Sequence, residues 1–161
     1  VNVDEKHLSL ALRLLKNNKR FKDYLKISEG LRIPEKFETN TSKGFRIVKQ
    51  YQFSRYSEIG EGSYVLEDDL KTVIKTTTER FKNSQKGKII IAEDALFISA
   101  TIDSSKMIPQ GGVYFATQTL NNVSLYALLG ILNSKLLSFI YETMFGGMHM
   151  GGGYLRYSKV V

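Results

Sequence analysis

Between positions 43 and 56 the chain carries Lys43, Arg46, Lys49, Gln50, Gln52, Arg55 and Tyr56, side chains of the kinds that recognition of a polyanion requires. Ammonium and guanidinium groups hold phosphates, whereas forked guanidinium and amide groups can match the donor and acceptor edges of base pairs. The same set would also suit a solvated strand edge, because exposed Lys and Arg are common on any soluble protein. A second basic group, Lys82 and Lys86 with Lys88 beyond them, flanks Asn83-Ser84-Gln85 and suits phosphates or an ordinary polar turn equally well. Nearer the end of the chain, Gly146, Gly147, Gly151, Gly152 and Gly153 enclose Met148, His149 and Met150, and Tyr154-Leu155-Arg156 follows. Glycine permits close backbone approach to a partner. His149, Tyr154 and Arg156 would then supply the contacts, unless the segment is only a connector.

Catalytic and cofactor chemistry is harder to find. Gly60-Glu61-Gly62 is a lone G-x-G with no third glycine, and a simple turn explains it. The two prolines, Pro34 and Pro109, lie in no Asn-Pro-Pro-Tyr tetrapeptide, and there is no glycine-rich, lysine-containing phosphate loop. Asp68-Asp69 and Glu93-Asp94 are acidic pairs, but neighbouring carboxylates point to opposite faces of a strand and are commonly solvated turns. His7 and His149 lie far apart, and no cysteine is present to build a thiolate metal site or a disulfide. The expectation is therefore no catalytic, cofactor-binding or metal-binding residue in this chain.

The elements that must hold these residues follow from periodicity. Asp4 to Asn17 reads as a helix with Leu8, Ala11, Leu12 and Leu15 on one face. Basic residues cluster from Lys16 to Lys26, and Gly30, Pro34 and the polar run from Glu38 to Gly44 read as breaks and loop. Strand-like patterns occupy Phe45 to Phe53, Tyr64 to Leu66, Lys88 to Ala92, Ala95 to Ile102 and Val113 to Thr117. Asp68 to Arg80 is open: Asp68 could cap a helix, but Thr72, Val73, Ile74 and Thr76 to Thr78 favour a strand. Val123 to Thr143 reads as one long helix, followed by the glycine-rich loop and a final strand at Tyr154 to Val161. The fold class expected is α+β, with a mainly antiparallel sheet, an N-terminal helix and one long C-terminal helix.

A length of 161 residues, with 42% hydrophobic and 24% charged, describes a globular domain with a real core. The apolar run Val123 to Phe145 is interrupted by Asn133, Ser134, Lys135 and Glu142, so a buried helix suits it better than a membrane span. Twelve of the 23 Lys and Arg residues fall in residues 1–53, so the net charge of +7 is concentrated in the N-terminal third. That third is compatible with a polyanionic partner. The absence of cysteine and of a secretory leader fits a cytoplasmic protein, and a start at Val1 fits a processed piece.

Tyr126 to Leu137, which contains Leu128-Leu129-Gly130-Ile131-Leu132-Asn133-Ser134-Lys135-Leu136, resembles the LLGILNSKL helix of the TaqI-like C-terminal specificity domain. Gly151 to Lys159 is similar to that family's GGGYLRFSK segment, Gly87 to Ile91 and Val113 to Thr117 to two of its strands, and Phe45 to Tyr56 to an element ending in D-I-x-R-Y. Gln52 stands where that last element usually has an acidic residue. The resemblance spans roughly residues 25–161 and divides the chain into a helix and basic linker (1–24) and a target-recognition domain (25–161). The family commonly continues with L-P-I-P, so the recognition domain is expected to be truncated at Val161.

What the resemblance implies is a DNA sequence-recognition domain of a restriction-modification adenine-N6 DNA methyltransferase of type IIG kind, non-catalytic by itself. The parent enzyme would use S-adenosylmethionine and flip its target adenine from the duplex, with or without a fused endonuclease. Partners would be double-stranded DNA and the methyltransferase domain upstream in the same chain, with no membrane. A specificity-subunit domain of a type I restriction system and a protein-interaction scaffold are the alternatives, and an enzyme in its own right stands behind them. The DNA-contact candidates are Lys43, Arg46, Lys49, Gln50, Gln52, Arg55, Tyr56, Lys82, Lys86, His149, Tyr154 and Arg156.

Arg156 offers a direct check. If it forks onto a guanine, Arg156→Ala should relax one position of the preferred site by about 1–3 kcal/mol. If it holds a phosphate, all duplexes should weaken alike and the log–log salt slope should flatten by about one. Unchanged affinity and preference in a folded protein would assign Arg156 to the scaffold.

Overall fold

In a computed structural model, the structure describes residues 4–16, 19–145 and, as backbone, 155–156. The main sheet holds four antiparallel strands in the order β1 (Leu25–Glu29), β9 (Val113–Gln118), β5 (Lys88–Ala92), β7 (Ala100–Asp103). A second sheet runs β2 (Glu38–Thr39), β4 (Tyr64–Val65), β3 (Phe45–Val48), β8 (Ile108–Pro109), antiparallel except for the parallel β3–β8 pair. A two-stranded ribbon joins β6 (Asp94–Ala95) to β10 (Leu155–Arg156). The helices are α1 (Glu5–Lys16), α2 (Glu67–Val73), α3 (Glu79–Ser84), α4 (Leu125–Leu132) and α5 (Lys135–Phe145). The α+β class and its mainly antiparallel sheet follow the pattern in the sequence.

All five residues of β5 are buried. An unbroken apolar run is what a strand covered on both faces needs, and Ile89-Ile90-Ile91 supplies it. Ile89 and Ile91 pack with Leu128, Leu129, Leu132 and Tyr141 of α4 and α5. Ile90 turns the other way, with Phe115 and Val113, against Val48 and Met107. Ile47, one residue before Val48, faces a third cluster with Val65, Leu70, Ile108 and Leu31. Consecutive residues of β3 thus tie the small sheet to the large one, and α4 and α5 cover the other face of the large sheet.

Two sequence expectations about the C-terminal half are corrected, and one open segment is decided. Val123 to Thr143 is not one long helix; it breaks at Asn133-Ser134 into α4 and α5. The side-chain amide of Asn133 turns inward to both backbone groups of Ala100, with Nδ2 donating to the carbonyl at 2.8 Å and Oδ1 accepting from the N–H at 2.9 Å. Ser134 then starts α5, its Oγ accepting from the Leu137 N–H at 3.0 Å. The apolar run Ala95 to Ile102 is two strands rather than one. Leu96 and Phe97 lie exposed between β6, which pairs with β10, and β7, which pairs with β5. The open segment Asp68 to Arg80 resolves to most of helix α2, a turn over 74–78 and the start of α3; Glu67, Asp68 and Asp69 occupy the first turn of α2, where the helix dipole favours them. Leu70 and Ile74, one turn apart, enter the small-sheet cluster and override the strand preference of Thr72 and Val73. In α1 only Ala11 is buried, while Leu8, Leu12 and Leu15 stay partly exposed. Helix α1 meets α5 through His7, whose ring lies edge-on to Phe139 at 5.3 Å.

Lys88 and Asp103 face each other across β5 and β7 with no solvent exposure, joined by an ion pair. Burial pulls the Lys88 ammonium below its ordinary pKa, and the Asp103 carboxylate opposes that pull. Asp103 also accepts from the Ser105 N–H at 2.7 Å and the Met107 N–H at 2.9 Å, which fixes the turn into β8. Replacing Asp103 with Leu strands a buried ammonium and two N–H groups, and should cost about 3–5 kcal/mol. Lys88→Met should cost less, because the carboxylate keeps its two backbone donors. Urea unfolding of the two variants checks the order; equal losses would mean that the backbone donors contribute nothing.

Candidate nucleic-acid interface

The candidate residues of the 43–56 segment run along β3 and then through a 3-10 turn, Gln50–Gln52, into a tight turn at 54–57. Lys43 is exposed on the β2–β3 loop. Arg46 sits on β3, and its Nη2 donates to the carbonyl of Ile59 at 3.1 Å and to that of Gly60. Lys49 is ion-paired with Glu38 at 2.7 Å, and that hydrogen bond holds its pKa above the ordinary lysine value. Gln50 brackets Asp94 of β6, donating to its carbonyl and accepting from its N–H at 3.2 Å.

Gln52 is buried, accepting from the Lys49 N–H at 2.7 Å and donating to the Glu61 carbonyl at 2.9 Å. Arg55 reaches the helical layer: Nε donates to the Ile98 carbonyl and Nη2 to Ser138 Oγ, both at 2.8 Å, with the guanidinium 5.0 Å above the Phe97 ring. Tyr56 is 59% exposed, holds a left-handed backbone (φ 57°), and its hydroxyl donates to the Gly130 carbonyl at 3.3 Å. So Arg46, Gln50, Gln52, Arg55 and Tyr56 spend donors on this chain's own backbone, Tyr56 with its ring still exposed, while Lys43 presents its side chain outward.

Lys82 and Lys86 are exposed on and just after α3, Lys86 bonding Asn83 at 2.8 Å. Helix α3 packs on the small sheet through Phe81, edge-on to Phe45 at 6.2 Å, and on the main sheet through β9. His149 and Tyr154 lie outside the described residues. Arg156 is placed by its backbone alone, paired with Asp94 in the ribbon. Gln50 and Arg156 therefore converge on one residue of β6.

The sequence reading did not single out Asn40, Ser42, Glu61 and Tyr64. With Arg46 and Gly62 they line an open groove of about 480 Å³ over the small sheet. Only the cross-strand register brings them together, since they lie up to 24 residues apart. Gly60-Glu61-Gly62 forms one wall of this groove and leads into β4, not into a helix, so it does not fit a cofactor loop. Among the described residues, no helix is long and apolar enough to cross a membrane.

Residues 33–151 match the family model of the TaqI-like C-terminal specificity domain. The chain belongs to that family. It is a DNA-recognition domain of restriction-modification enzymes, and the match runs from the approach to β2 through both C-terminal helices. No curated protein matches the chain. Within the specificity domain, Gln52, in the position usually acidic, serves by buried hydrogen bonds on both sides of its amide.

Gln52→Ala should strand the Lys49 N–H and the Glu61 carbonyl and lose about 1–3 kcal/mol of stability. Lys43→Ala, on an exposed loop, should stay within about 0.5 kcal/mol of the parent. Thermal unfolding of both separates the framework residue from the surface one.

Proposed function

We propose that the chain is the non-catalytic target-recognition domain of an adenine-N6 DNA methyltransferase of type IIG kind. Membership of the specificity-domain family, over residues 33–151, is the observation that carries this reading. Beside it stand exposed cations, Lys43, Lys82 and Lys86, and a polar groove on the small sheet. Phosphate contacts from such cations would set register and affinity, and polar side chains between them would read sequence.

The methyltransferase domain is assigned to the same polypeptide, upstream of residue 1. That domain would hold S-adenosylmethionine and carry out the methyl transfer on a flipped adenine. This domain's share of the work is to choose the site and to fix the duplex against the catalytic domain. Both would act in the bacterial cytoplasm, where the DNA is. The contact residues proposed are Lys43, Tyr56, Lys82, Lys86, His149, Tyr154 and Arg156, with Arg46, Lys49, Gln50, Gln52 and Arg55 holding the surface that presents them.

The 161-residue chain should bind duplex DNA with an affinity that falls steeply with salt. Neutralising about four to six phosphates gives a log K versus log salt slope of about −4 to −5. Anisotropy of a labelled duplex at several salt concentrations measures it. A flat response, or no binding at low salt, would overturn the reading.

A further inference from the structure

We infer that the groove bounded by Asn40, Ser42, Glu61 and Tyr64 reads base edges, and that Asn40 and Glu61 are specificity-determining residues. The inference rests on the DNA-recognition reading above and deepens it.

The floor of the groove comes from strand register. Tyr64 on β4 pairs with Thr39 of β2 on one side and with Arg46 of β3 on the other. Directly opposed residues share a face, so Thr39, Tyr64 and Arg46 form one row, and the alternate row holds Val65, buried in the core. The walls are the loop after β2, with Asn40 and Ser42, and the loop before β4, with Glu61 and Gly62.

The Glu61 wall is held from behind. Arg46 grips the Ile59 and Gly60 carbonyls, and buried Gln52 grips the Glu61 carbonyl. At Gly62 a Cβ would lie 2.2 Å from Gln52 Nε2 and 2.9 Å from the Ile47 carbonyl oxygen, so only glycine lets the wall approach this closely. At the foot of the other wall Gly44 has φ +106°, and a Cβ there would lie 2.3 Å from the Val65 carbonyl oxygen. Preorganised walls lose little conformational entropy on binding.

What the walls present is unspent. Among the described residues the Asn40 amide, the Ser42 hydroxyl, the Glu61 carboxylate and the Tyr64 hydroxyl make no side-chain hydrogen bond or ion pair within the chain. A carboxylate repels phosphates, so a groove containing Glu61 is ill suited to the DNA backbone and well suited to base edges. An Asn amide forks onto adenine N6 and N7, and a carboxylate accepts from the cytosine amino group. Lys43, in the same loop as Asn40 and Ser42, is placed to take a phosphate beside the groove.

The test selects preferred sites from a randomised duplex library with the parent chain, Asn40→Ala, Glu61→Gln and, as a charge-matched control, Asp68→Asn. Asp68 is fully exposed on α2 and does not line the groove. Asn40→Ala and Glu61→Gln should each relax preference at one base pair by about five- to a hundredfold. Asp68→Asn should keep the parent's preference, and both charge-removing variants should bind random duplex more tightly. Thermal unfolding confirms that each variant is folded. If the parent binds DNA and the groove variants select its sites unchanged, or the parent selects no sequence at all, the inference falls while the DNA-binding reading stands. If the parent binds no DNA at low salt, the DNA-binding reading itself falls. Relaxation by Asp68→Asn equal to that of Glu61→Gln would also overturn the inference, because it would trace the effect to charge alone.

Discussion

The side-chain amide of Asn133, laid against Ala100, is the contact on which the arrangement of layers depends. Strand β7 ends the main sheet, and an uncovered last strand leaves backbone donors and acceptors without partners. Asn133 meets both groups of Ala100 at once, and the Tyr56 N–H adds a second bond to the same carbonyl at 3.2 Å. Without the amide the buried Ala100 N–H has no partner, which costs about 1–3 kcal/mol. To aim its amide at the sheet, Asn133 must end α4, and that forces the break before α5.

The same edge anchors the segment that leads to the candidate interface. Ser57 accepts at its carbonyl from Thr101 Oγ1 at 2.5 Å, and Arg55 ties the Ile98 carbonyl to Ser138 on α5. At its other end the segment is β3, whose Ile47 and Val48 are fixed in two different apolar clusters. A slip of one residue would exchange those two side chains between clusters, so the register of β3 is strongly determined. The groove row Thr39, Tyr64 and Arg46 inherits that register.

This explains what was legible in the sequence. Apolar runs buried on both faces, at Ile89 to Ile91 and Val113 to Ala116, announce strands whatever surrounds them. The break at Asn133 does not show in periodicity, because Leu128, Leu132 and Leu137 keep a nearly helical spacing across it. Strand β1 was missed because it is short, Lys26 and Ser28 make one face polar and Glu29 interrupts the apolar one, and its partner β9 lies about 90 residues away. Polar residues were the least legible. Arg46, Gln50, Gln52 and Arg55 are the types that read bases, yet each spends donors on backbone carbonyls of residues distant in sequence. Residue type states how many hydrogen bonds a side chain can make, and only the fold states where they go.

The charge distribution changes meaning in the same way. The N-terminal third holds the basic excess, but Lys26 and Lys49 are ion-paired with Glu79 and Glu38. The exposed cations Lys43, Lys82 and Lys86 come from separate elements, Lys43 from a loop and Lys82 and Lys86 from around α3. Exposed ammonium groups of this kind attract any phosphate backbone and carry no sequence information. Discrimination between sequences needs neutral or acidic groups held in a fixed geometry, which flexible lysines cannot give. In the reading proposed above, the two tasks fall to different residues. Arg46 and Gln52 stiffen the Glu61 wall, so under the proposed reading a substitution at Glu61 would change what is read without disturbing the sheet beneath.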